Sequence, residues 1–161
     1  MSIERVRAYF KERGMENRIL EFPVSSATVD LAAQALGVEG ARIAKSLSFK
    51  LGDRVLLVVC AGDAKVDNRK YKDRFGGKAS MLAHDEAAAR IGHAVGGVCP
   101  FAVNEGVEIY LDESLKRFQT VYPAAGSSNS AIEMTPDELS QTAGGSWVDV
   151  CKAWQEEESP L

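Results

Sequence analysis

Three stretches of this 161-residue chain hold residue types and spacings that could do chemistry. The first surrounds Lys45. If residues 43–51 form a strand, the odd positions share one face, and Lys45 stands there among Ile43, Leu47, Phe49 and Leu51. An ammonium on a core-facing side is costly unless an anion meets it, and no neighbouring carboxylate offers itself. The position suits the negative charge of a ligand; it also suits a lysine whose stem carries its ammonium out to water. The second stretch is the loop Gly92-His93-Ala94-Val95-Gly96-Gly97-Val98-Cys99-Pro100-Phe101. Its adjacent glycines allow close backbone approach, and N–H groups in such a loop can serve a phosphate or a developing oxyanion. The third is Ala124-Ala125-Gly126-Ser127-Ser128-Asn129-Ser130, which offers hydroxyl, amide and backbone donors without bulk. Taken singly, the second and third also read as ordinary turns.

Other chemistries find less support. Two histidines, His84 and His93, lack the spacing of a metal site. The GxxxxGK[ST] and G-x-S-x-G patterns are absent. Cys99, six residues after His93, invites a thiol nucleophile, yet a cysteine among apolar residues is expected to be an inert small hydrophobe. Cys60, Cys99 and Cys151 form an odd, widely spaced set without a CxxC pair. They suggest neither a disulfide framework nor a structural zinc site, and a reduced, cytoplasmic setting is the simplest expectation.

The elements that must position these stretches are short. A hydrophobic fraction of 45% and a charged fraction of 26% describe an ordinary globular chain. The longest apolar run, Val55 to Ala61, cannot span a bilayer, and Met1-Ser2-Ile3-Glu4-Arg5 does not read as a signal peptide. A helix over 2–13 places Ile3, Val6 and Phe10 on one face; a strand is expected over Arg18–Phe22, and a Thr28-capped helix ends at Gly37. Ile43–Leu51 and Val55–Ala61 make a hairpin about Gly52-Asp53. Further helices are predicted from Asp67 to Phe75 and from Asp85 to Ile91. Strands are predicted at Lys78–Leu82, Val107–Leu111, Gln119–Tyr122, Ala131–Met134 and Trp147–Val150, with a short Asp112-capped helix between the second and third of these. Thr135-Pro136-Asp137-Glu138 is a capping box that starts a helix. This mixture indicates an α+β fold, one unit over residues 1–161, with a curved, mixed and largely antiparallel sheet.

Charge is uneven. The net charge is −4, but residues 1–102 carry 16 Lys+Arg against 12 Asp+Glu, while the remainder carries 3 against 11. Lys65 to Lys78 is the densest positive stretch and could attract a polyanion or simply be a solvated helix face. Glu156-Glu157-Glu158 reads as a solvated tail.

Taken together, Ala44-Lys45-Ser46-Leu47, Gly96-Gly97-Val98-Cys99-Pro100-Phe101, Ala125-Gly126-Ser127, Ile132-Glu133-Met134 and Thr135-Pro136-Asp137-Glu138-Leu139 resemble the YbaK/prolyl-tRNA synthetase-associated editing domains, in order and spacing from about Phe22 to Val150. The resemblance implies a compact fold with a strongly curved mixed sheet, no metal or cofactor, and hydrolysis of wrong amino acids from tRNA. It makes Lys45 the signature lysine, Ser46 the small hydroxyl residue beside it, Gly96, Gly97 and Pro100 the Gly-x-x-x-Pro loop, and Gly126 and Ser127 the later Gly-Ser loop. The implied catalytic set is Lys45, Gly97 and Cys99, with no nucleophilic role for the thiol. Implied substrate-binding residues are Phe22, Ser46, Gly96, Val98, Pro100, Phe101, Gly126, Ser127, Ser128 and Asn129. Arg69, Lys70 and Lys72 are candidate tRNA contacts. Cys99 stands where Ser or Thr is commoner, Ala102 where Gly is common, and Ala131 where some members carry an acidic residue. The implied partners are mischarged aminoacyl-tRNA and a synthetase or elongation factor that lends affinity, since the chain has no synthetase body. Rival readings are a non-catalytic module that binds a tRNA end or nucleotide, and a Cys99-dependent thiol enzyme.

Overall fold

The computed structural model describes residues 2–94 and 96–154; the acidic run Glu156–Glu158 lies outside them. Helix α1 (Ser2–Lys11) buries Val6 and Phe10 completely, as its apolar spacing requires. Strand β1 (Ile19–Glu21) follows, then α2 (Val29–Leu36), whose first turn is closed by the Thr28 side chain accepting from Leu31 N at 3.1 Å. Such a cap contributes about 1 kcal/mol.

The centre of the fold is the hairpin of β2 (Ile43–Leu51) and β3 (Arg54–Ala61), paired from Leu51–Arg54 back to Ala44–Ala61. Every residue from Val55 to Ala61 is buried, because both faces of β3 are covered. One face of the hairpin carries Phe49, Leu56, Val58 and Cys60 against α3 (Asn68–Phe75), with Tyr71 packed on Phe49 at 5.1 Å. The other carries Val55 and Leu57 against Leu82 and, from α4 (His84–Ile91), Ala87 and Ile91. Burial on two sides turns the alternating pattern of a strand into a continuous apolar run.

The main sheet has the order β6-β2-β3-β5-β8, with β5 at Glu108–Asp112, β6 at Tyr122–Pro123 and β8 at Ser146–Val148. It is a curled, mixed sheet with, among the described residues, five short helices in an α+β arrangement. The curved, mixed sheet agrees with the expectation, and its pairing divides between the two kinds. Within the main sheet only the hairpin is antiparallel; β2–β6, β3–β5 and β5–β8 are parallel, since each joins segments separated by long crossovers. The antiparallel remainder lies in two small pairs, β1 with β7 (Ser130–Ile132) and β4 (Lys65–Val66) with β9 (Cys151–Lys152).

Lys78–Leu82 is not a strand. Met81 makes a single bridge to Phe49, flanked by Lys50 N donating to Ser80 O at 2.9 Å and Leu82 N donating to Ser48 O at 3.1 Å. Gln119–Tyr122 shifts to Tyr122–Pro123, leaving Val121 as a bridge to Met134. The turn after Asp112 is a 3-10 helix, Glu113–Arg117. Buried Asp112 caps it through Ser114 N (2.9 Å) and also accepts from Val150 N (2.9 Å), which holds the segment between β8 and β9. Helix α5 (Pro136–Ala143) begins with the full capping box of Thr135 and Glu138.

Candidate active site

A cavity of about 290 Å³ opens along the outer edge of β2. Lys45, Ser46 and Ser48 of that strand line it, together with Thr28 and Val29 at the start of α2, Leu82 and Ala87 beside α4, and Gly96 and Val98 of the glycine loop. Ala124, Ser130 and Ala131 complete the wall on the β6–β7 side.

Lys45 is half-buried and donates from Nζ to Gly62 O at 3.3 Å. Among the described residues no carboxylate forms an ion pair with it, whereas nine other lysines and arginines each have a carboxylate partner, as Arg54 has Glu108 and Lys70 has Asp149. A carbonyl is a partial partner for an ammonium, so Lys45 keeps donors for an anion at the cavity rim.

Three loops meet at the other end of the cavity. Gly96 adopts φ +88°, and a Cβ there would sit 3.1 Å from the Cβ atoms of Ala27 and Ser128. Gly97 is packed more tightly still: its missing Cβ would lie 2.7 Å from Gly126 C and Ser127 N. The two glycine-bearing loops that the sequence singles out are therefore in direct backbone contact. Ser26 N donates to Ser128 O at 2.7 Å, Phe22 N to Asn129 O at 2.8 Å, and Asn129 Nδ2 to Phe22 O at 3.0 Å. Ser127 Oγ lies 2.9 Å from Asn129 Oδ1 and 2.7 Å from Ser130 Oγ. Phe22, Gly126, Ser127, Ser128 and Asn129 thus fix the loops by these bonds and do not themselves line the cavity.

The remainder of the glycine loop points elsewhere. Phe101 is fully buried and packs edge-on against Phe10 with ring centroids 4.7 Å apart, and Pro100 is also buried, so these two belong to the core and not to the cavity wall. Cys99 is also fully buried and off the cavity. Its Sγ is 3.6 Å from His93 Nε2, but burial pushes the thiol up to about 12, and His93, likewise lowered by burial, uses Nε2 to donate to Phe101 O at 2.7 Å. A thiol this far above neutrality is protonated, and Cys99 does not line the cavity. The loop is clasped from outside: Arg5 donates to Gly92 O (3.2 Å) and Ala102 O (2.6 Å), and Asn104 Nδ2 reaches Ala89 O (3.0 Å) and Arg90 O (3.2 Å).

Arg69, Lys70 and Lys72 stand on α3, which packs through Tyr71 on Phe49. None of the three lines the cavity, and Lys70 is engaged by Asp149 Oδ1 (3.1 Å) and Cys151 O (3.0 Å).

Residues 24–142 match the aminoacyl-tRNA editing domain family. The chain belongs to that family. YwhH of Bacillus subtilis (strain 168), an uncharacterized protein, is 55% identical over 157 residues, covering 96% of this chain and all of YwhH. Proline--tRNA ligase of the same strain is 32% identical over 90 residues, 55% of this chain but 16% of the ligase. A crystal structure described as a candidate trans-editing enzyme for prolyl-tRNA synthetase superposes with a TM-score of 0.85 at 32% identity, covering 94% of this chain and 97% of that one.

In this editing domain, sequence reasoning missed Thr28, Val29, Ser48, Leu82 and Ala87 as wall residues. Thr28 was visible as a helix cap, but nothing in its spacing tells which way the capped turn faces. Among the described residues no cluster of three or more His, Cys, Asp or Glu is arranged to hold a metal, and no helix is long and apolar enough to cross a membrane.

Proposed function

We propose that this editing domain hydrolyses the ester of mischarged aminoacyl-tRNA, acting on the charged tRNA as a separate molecule. The observation that carries the reading is the juxtaposition of Lys45 with Gly96 and Val98 of the glycine loop in the wall of one cavity of about 290 Å³, Gly97 standing just behind that wall against Gly126. Water attacks the ester carbonyl carbon; a C–O bond forms to the water oxygen, the bond to the ribose oxygen breaks, and that oxygen takes a proton. The products are the free amino acid and a tRNA with a free terminal hydroxyl. Such an ester is already activated, so orientation and charge stabilisation matter more than a strong nucleophile. Lys45 supplies a positive charge for the 3′-terminal phosphate. The glycine loop shapes the wall against which the aminoacyl end rests. The need for the reaction follows from energetics: a synthetase pocket separates side chains that differ by one methylene by only ~1–3 kcal/mol, and a second sieve removes what escapes.

Support comes from the family, from the partial match to proline--tRNA ligase and from the structural likeness to the candidate trans-editing enzyme. These also favour a tRNA charged by prolyl-tRNA synthetase as the first substrate to try. The test is incubation with a panel of correctly and incorrectly charged tRNAs, measuring amino acid released. Selective release from one mischarged species is the expected result. Saturable binding of tRNA ends with no release from any of them would overturn hydrolysis in favour of a binding module.

A further inference from the structure

One residue of β2 turns its main chain toward the outer edge of the strand where, among the described residues, no strand or bridge pairs with it. Ser48 O accepts from Leu82 N at 3.1 Å and Lys50 N donates to Ser80 O at 2.9 Å, so the even-numbered residues of β2 aim their backbone groups at its outer edge. The period of a strand is two, so Ser46 N–H and C=O face the same edge. That edge is covered by β6 only at Ile43 and Ala44, and beyond Ser48 by the single Phe49–Met81 bridge. Between these two coverings, among the described residues, no strand or bridge pairs with Ser46. Ser46 lines the cavity, and its Oγ is enclosed without a hydrogen-bond partner.

We propose that Ser46 binds the aminoacyl group through its main chain, as a one-residue extension of the sheet. This rests on the hydrolytic reading above and deepens it. An aminoacyl ester presents an ammonium donor and a carbonyl acceptor across one Cα, the same pair that a strand residue turns toward its neighbour. Ser46 C=O accepts from the α-ammonium, and Ser46 N–H donates to the ester carbonyl oxygen, on which negative charge grows during water attack. Because the oxyanion draws more from an N–H than the ground-state carbonyl does, this donor acts chiefly in the transition state. The gap is one residue long. It matches a single amino acid with a free α-amino group and leaves no place for a longer peptidyl chain, whose next residues would collide with β6 or with the Met81 bridge.

Two experiments on the full chain test this. The first follows the Ser46 backbone amide by NMR during titration with 3′-deoxy-3′-(L-alanylamino)adenosine, a non-hydrolysable amide analogue of the aminoacyl end. A shift of that resonance at saturation is expected; an unmoved Ser46 amide overturns the proposal. The second compares Ser46→Pro, which removes the N–H at an edge position where proline is tolerated, with Ser46→Ala, which removes the hydroxyl alone. With both variants folded by circular dichroism, kcat of Ser46→Pro should fall below that of Ser46→Ala by ~10²-fold or more, the loss usual for one oxyanion donor. Equal rates overturn it. If the parent chain releases no amino acid from any charged tRNA, hydrolysis itself fails, and the amide titration still decides the role of Ser46.

Discussion

Gly97 and Gly126 meet backbone to backbone: a Cβ on Gly97 would stand 2.7 Å from the Gly126 carbonyl carbon. Neither loop alone would build the end of the cavity. The contact forces both to keep their places, and the hydrogen bonds from Ser26 and Phe22 to Ser128 and Asn129 bind a third segment to the pair.

Gly97→Ala should therefore damage fold and activity together. Inserting a methyl into a site without room typically costs 1–3 kcal/mol, here borne by backbone that cannot rotate away. Urea unfolding and turnover on a mischarged tRNA check it; a variant with unchanged midpoint and rate would show that the loops move apart freely.

Lys45→Ala should abolish deacylation while leaving the circular dichroism spectrum intact, because the ammonium has one carbonyl partner and no ion pair among the described residues. Turnover within about twofold of the parent, well under the tenfold that ~1.4 kcal/mol represents, would remove Lys45 from the mechanism.

Cys99→Ala should keep kcat, and native protein should resist iodoacetamide, since the thiol is fully buried and held near 12. A rate loss of a hundredfold or more would restore a nucleophilic role.

Replacing Arg69 and Lys72 by alanine should leave the salt dependence of kcat/KM parallel to that of the parent. Neither lines the cavity, and both lie on α3, which packs over Phe49. A shallower slope would place the tRNA backbone across α3 after all.

Acid should weaken the β3–β5 edge. The Arg54 guanidinium, 2.8 Å from both Glu108 oxygens, and then the Tyr110 hydroxyl hold the Glu108 carboxyl down at about 2 from an ordinary 4.5. A lowered carboxylate contributes stability above its unfolded value and loses it as pH falls from about 4.5 toward 2. Glu108→Gln should thus be less stable than the parent at pH 7, with the difference shrinking by pH 3 in urea titrations. A constant difference would mean that packing, not charge, is at stake.

Elements were legible where local rules dominate. Thr28, Asp67 and Thr135 announce helix starts by their own side chains, and Gly52-Asp53 announces the hairpin. The loops around Lys45, Gly97 and Gly126 were legible as chemistry because few other residues allow such close backbone approach. What sequence could not show depends on partners distant in the chain. The parallel pairing of β3 with β5 is decided by crossovers and not by composition, and β4 pairs with β9 across more than eighty residues. Phe101 and Cys99 look like neighbours of Gly97 in sequence, yet the loop turns between them and buries both side chains in the core.

The clasp from Arg5 to the carbonyls of Gly92 and Ala102 bears on the order in which the chain matures. Helix α1 leaves the ribosome before the groups its arginine holds, which are made some ninety residues later. The wall of the cavity therefore cannot be finished during early synthesis, and α1 waits as an amphipathic segment with Phe10 lacking its Phe101 partner. Contacts so far apart in sequence carry a loop-closure cost and slow folding. A helix made early and absent from the cavity lining thus waits on the later segments that complete the wall.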